Sequence, residues 1–327
     1  MTKRTRNLDG IIEAVHRAET IALCAHVNPD GDTLGSCLAL RLGLITLGKT
    51  VDVFCDDRVP DSLRFMPGAD AVRPAEEAAA RYDLLLSVDV PNGDRMGGVA
   101  ALRDRCARTA QVDHHGTNPG FMAENCVDPK ASATGLIVRE LLDRLGVPLS
   151  RDIATCLYVA ISTDTGNFSF NTTTEAFEVA GELVALGLPL SKLNRVLFKE
   201  RSKPQVLLLG RALSSLRFYQ GGLITVMTLS EADFAACGAL QEHAEAIVNF
   251  GLDVTGVKLS VLARENGEGG VKASLRAVEP YRVDTVAAAF GGGGHMLAAG
   301  CTLSDSLESA VSRLLAAMTE EAEKHST

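Results

Sequence analysis

The chain reads as an α/β protein: a mostly parallel sheet flanked by helices, then a smaller α/β C-terminal domain. Three observations lead there. Apolar runs of strand length alternate with helical stretches, the pattern of a parallel sheet covered on both faces. Three of those runs close on acidic or histidine-bearing loops, on the edge where open α/β sheets bind ligands. A length of 327 residues suggests two domains, and Gly187-Leu188-Pro189 and Lys203-Pro204 punctuate the stretch where they would join. The expected division is residues 1–190, a helical connector over 191–214, and a second domain over 215–327.

Each element follows in order. After Lys3, Arg4 and Arg6, the residues Leu8, Ile11, Ile12 and Val15 keep helical spacing. Residues 21–25 form an apolar run too short for a helix and read as a buried strand. The loop behind it, Cys24-Ala25-His26-Val27-Asn28-Pro29-Asp30-Gly31-Asp32, gathers one histidine and two aspartates. Asn28-Pro29-Asp30-Gly31 is also a common turn sequence, so this stretch alone reads equally as a surface turn or as part of a divalent-metal site. A helix with Leu34, Cys37, Leu38, Arg41, Leu42 and Leu44 on its apolar positions runs on to Gly48 as its stop.

Residues 51–55 are a second strand. Residues 83–89 are a third, apolar inside and closed by Asp89. Residues 109–112 are a short fourth, closed by Asp113-His114-His115-Gly116. A single aspartate after a strand usually caps a helix; three such sets on one edge are hard to assign to capping. Helices are expected over 132–145, from Ser150 through 154–161, and over 173–187, with Asp164 in the loop after the second. Residues 192–213 look like one helical connector.

The second domain begins with a strand at 223–229 and a helix capped by Ser230. Further strands are expected at 254–263 and 271–278, separated by the turn-rich Glu265-Asn266-Gly267-Glu268-Gly269-Gly270. In the last of these Lys272, Ser274 and Arg276 alternate with apolar residues and share one polar face. Four glycines, 291–294, then precede His295. Such a run cannot be a helix interior, and it can offer backbone N–H groups to an anion at the mouth of a following short helix. An amphipathic helix from Leu307 closes the chain.

Composition removes several function classes. The net charge of -9 leaves no long basic track for duplex nucleic acid, and aromatics at 5% with no tryptophan disfavour broad base-stacking platforms. The eight cysteines never form a Cys-x-x-Cys pair and read as small buried hydrophobes of a reducing compartment. No run is long enough to span a bilayer, and no signal-like apolar segment opens the chain, so a cytoplasmic protein is expected. Neither a P-loop nor a Gly-x-Ser-x-Gly elbow is present.

What remains is His26, Asp30, Asp32, Asp89, His114 and Asp164, with Asp113 and His115 adjacent. Four carboxylates balance two divalent cations, and mixed carboxylate and imidazole donors favour Mn2+-like ions over thiolate-held zinc. A pair of ions roughly 3.5–4 Å apart is the device of many phosphatases and nucleases.

These motifs, with Ser274-Leu275-Arg276 and the run from Gly291 to Gly300 in the second half, resemble the DHH phosphoesterase family with its DHH-associated C-terminal domain. The closest subgroup is the two-domain nanoRNases that also remove the 3′-phosphate of adenosine 3′,5′-bisphosphate. The resemblance implies hydrolysis of short oligoribonucleotides and of that bisphosphate, with two divalent ions, Mn2+ first and Mg2+ or Co2+ as alternatives. It implies one ion on His26, Asp30 and Asp89 and another on Asp32, Asp89, His114 and Asp164, with Asp89 shared. Asp113 would orient the histidines, His115 would stand behind the metal ligands or touch the phosphate, and Arg276, Gly292, Gly293, Gly294 and His295 would hold a substrate phosphate, with the active site in the cleft between the two domains. Expected partners are short RNA or small phosphorylated nucleotides, with no duplex DNA and no membrane; a homodimer is left open. Runner-up readings are a cyclic dinucleotide phosphodiesterase, a single-strand exonuclease and a non-catalytic nucleotide-binding regulator.

Overall fold

The computed structural model describes residues 6–267 and 269–325, so Lys3, Arg4 and Glu268 lie outside the described residues. The chain forms two compact units, Met1–Glu200 and Arg201–Thr327. In chain order the first contains α1 (Asp9–Arg17), β1 (Thr20–Cys24), α2 (Gly31–Thr46), β2 (Thr50–Phe54), β3 (Val72–Arg73) and β4 (Tyr82–Val88). It continues with β5 (Cys106–Asp113), β6 (Glu124–Val127), α3 (Thr134–Arg144), α4 (Arg151–Asp164), α5 (Thr174–Ala185) and α6 (Leu190–Asn194).

Its six strands are all parallel, in the order β3-β2-β1-β4-β5-β6. The chain winds outward from β1 to β3, then crosses back to β4 and winds out to β6. The reversal between β1 and β4 leaves a crevice at their carboxyl ends, the usual ligand position in such sheets. Both strands are apolar because both faces are covered: Leu23 and Leu86 pack into one core, Ala22 and Leu85 into the other.

Helices α2 and α4 read as almost uniformly apolar because each is buried nearly all round. They approach closely at Gly35, where a Cβ would lie 2.5 Å from the Cys156 carbonyl oxygen. Only glycine permits that separation, and it brings the N-terminus of α2 and the C-terminus of α4 to one place. The chain is also tied internally by Arg6, 5% exposed, whose guanidinium bonds Asp128 at 2.7 Å, Glu140 at 2.9 Å and Glu175 at 2.8 Å.

The second unit contains α7 (Lys203–Ser214), β7 (Arg217–Tyr219), β8 (Ile224–Leu229), α8 (Glu231–Cys237), α9 (Ile247–Leu252) and β9 (Leu259–Glu265). β10 (Val271–Ala277), α10 (Asp284–Ala288), β11 (Gly293–His295), β12 (Ala298–Leu303) and α11 (Leu307–Glu323) complete it. The sheet order is β11-β12-β10-β9-β8-β7, with β8 and β9 parallel and the rest antiparallel. One face packs Val261, Leu275 and Leu303 on Leu314 and Met318 of α11. On the other, Met227 and Leu262 lie under α7, α8 and α9, while Lys272, Ser274 and Arg276 remain at least partly solvent-facing, as their alternation indicates.

Several expected elements change. The stretch 192–213 is not one helix: α6 ends in a π-helical turn at Arg195–Lys199, and Ser202, bonded to Gln205 through a capping box, starts α7 afresh. The strand expected from residue 254 begins only at Leu259, after a turn around Gly256. The glycine run does not precede a helix. It follows one, α10, and continues as β11 paired with β12, so the N–H groups of a helix mouth are not what it presents. Local sequence could not reveal this, because β11 exists only through its pairing. The edge strands β3, β6 and β7 were unforeseen for the same reason.

Candidate active site

Four loops at the carboxyl edge of the parallel sheet converge. His26 follows β1, Asp89 follows β4, Asp113, His114 and His115 end β5 and lead out of it, and Asp164 is the last residue of α4. Thr33, which the sequence reading passed over, pins the two central strand ends together. Its hydroxyl donates to the Val88 carbonyl at 2.9 Å and accepts from the His26 amide at 3.2 Å.

Asp30 caps α2, its Oδ1 accepting from the amides of Asp32 at 3.0 Å and Thr33 at 3.1 Å. Its other oxygen is thereby turned to His26 Nε2, 3.6 Å away. Asp32, 1% exposed, is held by a second helix N-terminus: its oxygens accept from the amides of Thr134 at 2.6 Å and Gly135 at 3.0 Å, at the start of α3. Ser36 adds a hydroxyl at 3.1 Å. Two helix dipoles and these donors offset part of the cost of the buried negative charge.

Asp89 is the centre. It sits at φ 62, a left-handed conformation uncommon outside glycine, of the kind that gathers at functional sites. Its Oδ1 accepts the Thr134 hydroxyl at 2.8 Å and lies 3.7 Å from Nε2 of His114. Its Oδ2 faces the opposite way, 3.8 Å from Nε2 of His26. His114 in turn stands 3.2 Å from Asp164 and 3.9 Å from Asp32. Among the described residues three donor groups result, His26-Asp30-Asp89, Asp32-His114-Asp164 and Asp89-His114-His115, with Asp89 reaching toward all three.

The histidines are oriented differently from the expectation. Asp113, fully buried, takes only His115, through Nδ1 at 2.8 Å; the Ala131 carbonyl, 3.2 Å from Nδ1, holds His114. Asn118, another residue without a sequence signal, fixes Asp113 by donating to its second oxygen at 2.6 Å. Arg95 also went unseen: its Nη2 lies 2.9 Å from Nδ1 of His26.

The charges explain the titration. Burial first, then the charges of Asp164 and Asp30, push the Asp32 carboxyl well above the usual range. Burial and then Asp32 and Asp30 do the same to Asp89. Asp164 is raised by burial against the pull of His114. Only Asp30 is held low: recession among its neighbours opposes its charge, and His26 with the two helix amides outweighs that. Carboxylates this crowded and buried match a site for divalent cations, which would replace protons as their counter-charge. The donors fit as well: they are hard oxygens and imidazoles, with no thiol among the grouped residues, and the Cys55 thiol donates to the His26 backbone oxygen at 3.3 Å.

In the second unit the other expected residues share one surface. Arg276 pairs in register with Ala298, and Ala298 with His295, so the three side chains lie in one row on one face. Burial lowers the pKa of Arg276, whose guanidinium donates to the Leu275 carbonyl at 3.0 Å. His295 is exposed. Gly292 and Gly294 are required by packing, since a Cβ on either would come within 2.2 Å of the Gly300 carbonyl or 2.5 Å of the Ala298 carbonyl; around Gly293 the space is open.

Comparison with known proteins bears on both units. Residues 20–161 match the DHH family, N-terminal domain, and residues 234–324 match the DHHA1 domain. Over 304 residues, 92% of this chain and 90% of the other, the chain is 38% identical to a bifunctional oligoribonuclease and PAP phosphatase NrnA from Thermus thermophilus. The protein of the same description from Bacillus subtilis is 25% identical, over 90% of this chain and 92% of that one. Among solved structures, an exopolyphosphatase-related protein from Bacteroides fragilis superposes with a TM-score of 0.90 at 27% identity, covering 96% of this chain and 95% of the other.

Proposed function

This chain belongs to the DHH family, and we propose that it is a metal-dependent phosphoesterase hydrolysing short oligoribonucleotides to mononucleotides and 3′-phosphoadenosine 5′-phosphate to AMP. The observation that carries the reading is Asp89, a buried carboxylate whose two oxygens face two separate groups of carboxylate and imidazole donors. His26, Asp30 and Asp89 would hold one ion, and Asp32, Asp89, His114 and Asp164 a second. We take Mn2+ as the working ion, with Mg2+ and Co2+ as alternatives. Such ions, when bound, polarise phosphoryl oxygens and lower the pKa of a water at the site.

The rest of the work falls to the chain. The Ala131 carbonyl, 3.2 Å from Nδ1 of His114, leaves that ring's Nε2 unprotonated and directed at the donor groups. Nδ1 of His26 lies 2.9 Å from both the Val27 carbonyl and the Arg95 guanidinium, and an ion on its Nε2 would require the Nδ1 proton to go to Val27. Asp113 takes the Nδ1 proton of His115, so its Nε2 is the atom that would accept or return a proton at the substrate. Arg276 and His295, with Gly292, Gly293 and Gly294 forming a surface low in side chains, are assigned to a substrate phosphate. Among the described residues no helix is long and apolar enough to cross a membrane.

The test is a set of specificity constants measured with Mn2+ on two-mers through twenty-mers of RNA, on 3′-phosphoadenosine 5′-phosphate and on cyclic di-AMP. Turnover should vanish in chelator, fall with RNA length, and be lowest on the cyclic dinucleotide. A rate that rises with length, or that survives chelation, would refute the proposal.

A further inference from the structure

We propose that the exposed ring of Phe170 is a stacking platform for a nucleobase of the substrate. The inference rests on the phosphoesterase reading above and deepens it, from a phosphate ester to an ester that carries a base.

The segment behind Asp164, the donor that ends α4, reads Thr165-Gly166-Asn167-Phe168-Ser169-Phe170-Asn171. Its two phenylalanines part. Phe168 packs against the core of the first unit, with ring centroids 6.3 Å from Tyr158 and 5.3 Å from Phe177. Phe170 turns outward and is 61% exposed. A scattered surface phenylalanine needs no explanation. This one is held in place at a cost in backbone strain.

Asn167, Phe168 and Asn171 all take left-handed backbone angles, at φ 57, 64 and 48. Asparagine accepts that conformation readily; a bulky phenylalanine does not, and strain of this kind gathers at ligand-binding segments. The loop is braced by its own hydrogen bonds. The amides of Ser169 and Phe170 donate to the Thr165 carbonyl at 2.8 and 3.1 Å, and the Asn167 amide to the Ser162 carbonyl at 2.6 Å. The Phe168 amide donates to the hydroxyl of Thr165, which is wholly buried, at 3.1 Å. The Phe170 ring rests on the backbone of Gly166, where a Cβ would come within 2.1 Å of the ring.

That contact fixes where the ring stands. Gly166 is two residues from Asp164, whose Oδ2 lies 3.2 Å from Nε2 of His114. Two residues span at most about 7 Å of chain, so the ring is on the margin of the donor groups. A phosphate held at those donors brings the base of the same nucleotide to that margin. The phenyl ring has no hydrogen-bonding group, so it takes the π-face of any base. It therefore separates nucleotides from base-free phosphate esters without reading which base is present.

The chain has no tryptophan, so Phe170→Trp gives a protein with a single one, at the platform itself. With Mn2+ present, AMP should quench its emission and ribose 5-phosphate should not. Phe218→Trp, at a phenylalanine of β7 that is 52% exposed, should respond to neither. Phe170→Ala should melt at about the wild-type temperature and raise the KM of a diribonucleotide roughly 5- to 150-fold, the range for loss of one stacked base. The KM of the abasic counterpart, with each base replaced by hydrogen, should change less than twofold, and Phe170→Tyr should restore the diribonucleotide. Equal losses on both substrates, or none on either, overturn the assignment. So does equal quenching by AMP and ribose 5-phosphate, or emission that follows protein concentration and not AMP, which would assign the ring to contact between copies of the chain. If wild-type protein cleaves neither substrate, the functional reading falls and the emission experiment decides alone: no quenching by AMP ends the proposal.

Discussion

Asparagine at position 89 separates the metal-site reading from a structural one. Asparagine keeps the shape of Asp89, tolerates the left-handed backbone at φ 62, and can still accept the Thr134 hydroxyl. What disappears is one negative charge, placed 3.8 Å from His26 Nε2 and 3.7 Å from His114 Nε2. For a cation within about 4 Å of the carboxylate, as ligation requires, the attraction between two unit charges is about 4 kcal/mol at an effective dielectric constant of 20. Relief of carboxylate burial and repulsion returns part of this, leaving a net loss of about 2–4 kcal/mol, or roughly 30- to 1,000-fold in Mn2+ affinity. Stability should move the other way. Asp89 is a carboxyl raised by burial and by Asp32, so removing its charge relieves the metal-free protein, and Asp89→Asn in chelator should melt at or above wild type. Mn2+ titration by calorimetry or paramagnetic resonance, with thermal melts in chelator, measures both. Affinity within threefold of wild type, or a chelated variant melting several degrees lower, would show that Asp89 is a structural residue and that the shared-ligand argument is wrong.

The same carboxylates set a pH dependence. Asp32, Asp89 and Asp164 have folded-state pKa values above their unfolded ones, so the metal-free fold binds the extra protons and loses stability as pH rises from about 4 through those raised values. The melting-temperature gain on adding Mn2+ should therefore be larger at pH 8 than at pH 5.5, and a gain independent of pH would count against this account. Arg6→Met leaves Asp128, Glu140 and Glu175 without their common cation, and should cost about 3–5 kcal/mol in urea denaturation; a loss under about 1 kcal/mol would mean the cluster is solvated. Gly35→Ala places a methyl 2.5 Å from a backbone carbonyl that cannot rotate away, and should destabilise by about 1–3 kcal/mol while weakening Mn2+ binding as α2 and α4 part. Unchanged stability and affinity together would show that this helix contact does not position the site.

Much of this was written in local sequence. Apolar runs ended by His26, Asp89 and Asp113 declared both the strands and the edge they share, because a buried parallel strand must be apolar and the loop after it is free to be polar. Ser150, Thr173 and Ser230 marked helix starts that the structure keeps, since capping is a contact made within four residues. The alternation of Lys272, Ser274 and Arg276 named a solvent face correctly. What tertiary structure alone decided is the order β3-β2-β1-β4-β5-β6, which sets His26 beside Asp89, and the pairing that turns the glycine run into β11. It also decided the supporting partners: Thr134 on Asp89 and Asn118 on Asp113. Asn118 and Thr134 carry no periodicity or motif. Caps and strand periods are fixed by neighbours in the chain, whereas charge compensation depends on which groups the fold brings within about 3 Å of one another, across separations as long as the 169 residues from Arg6 to Glu175.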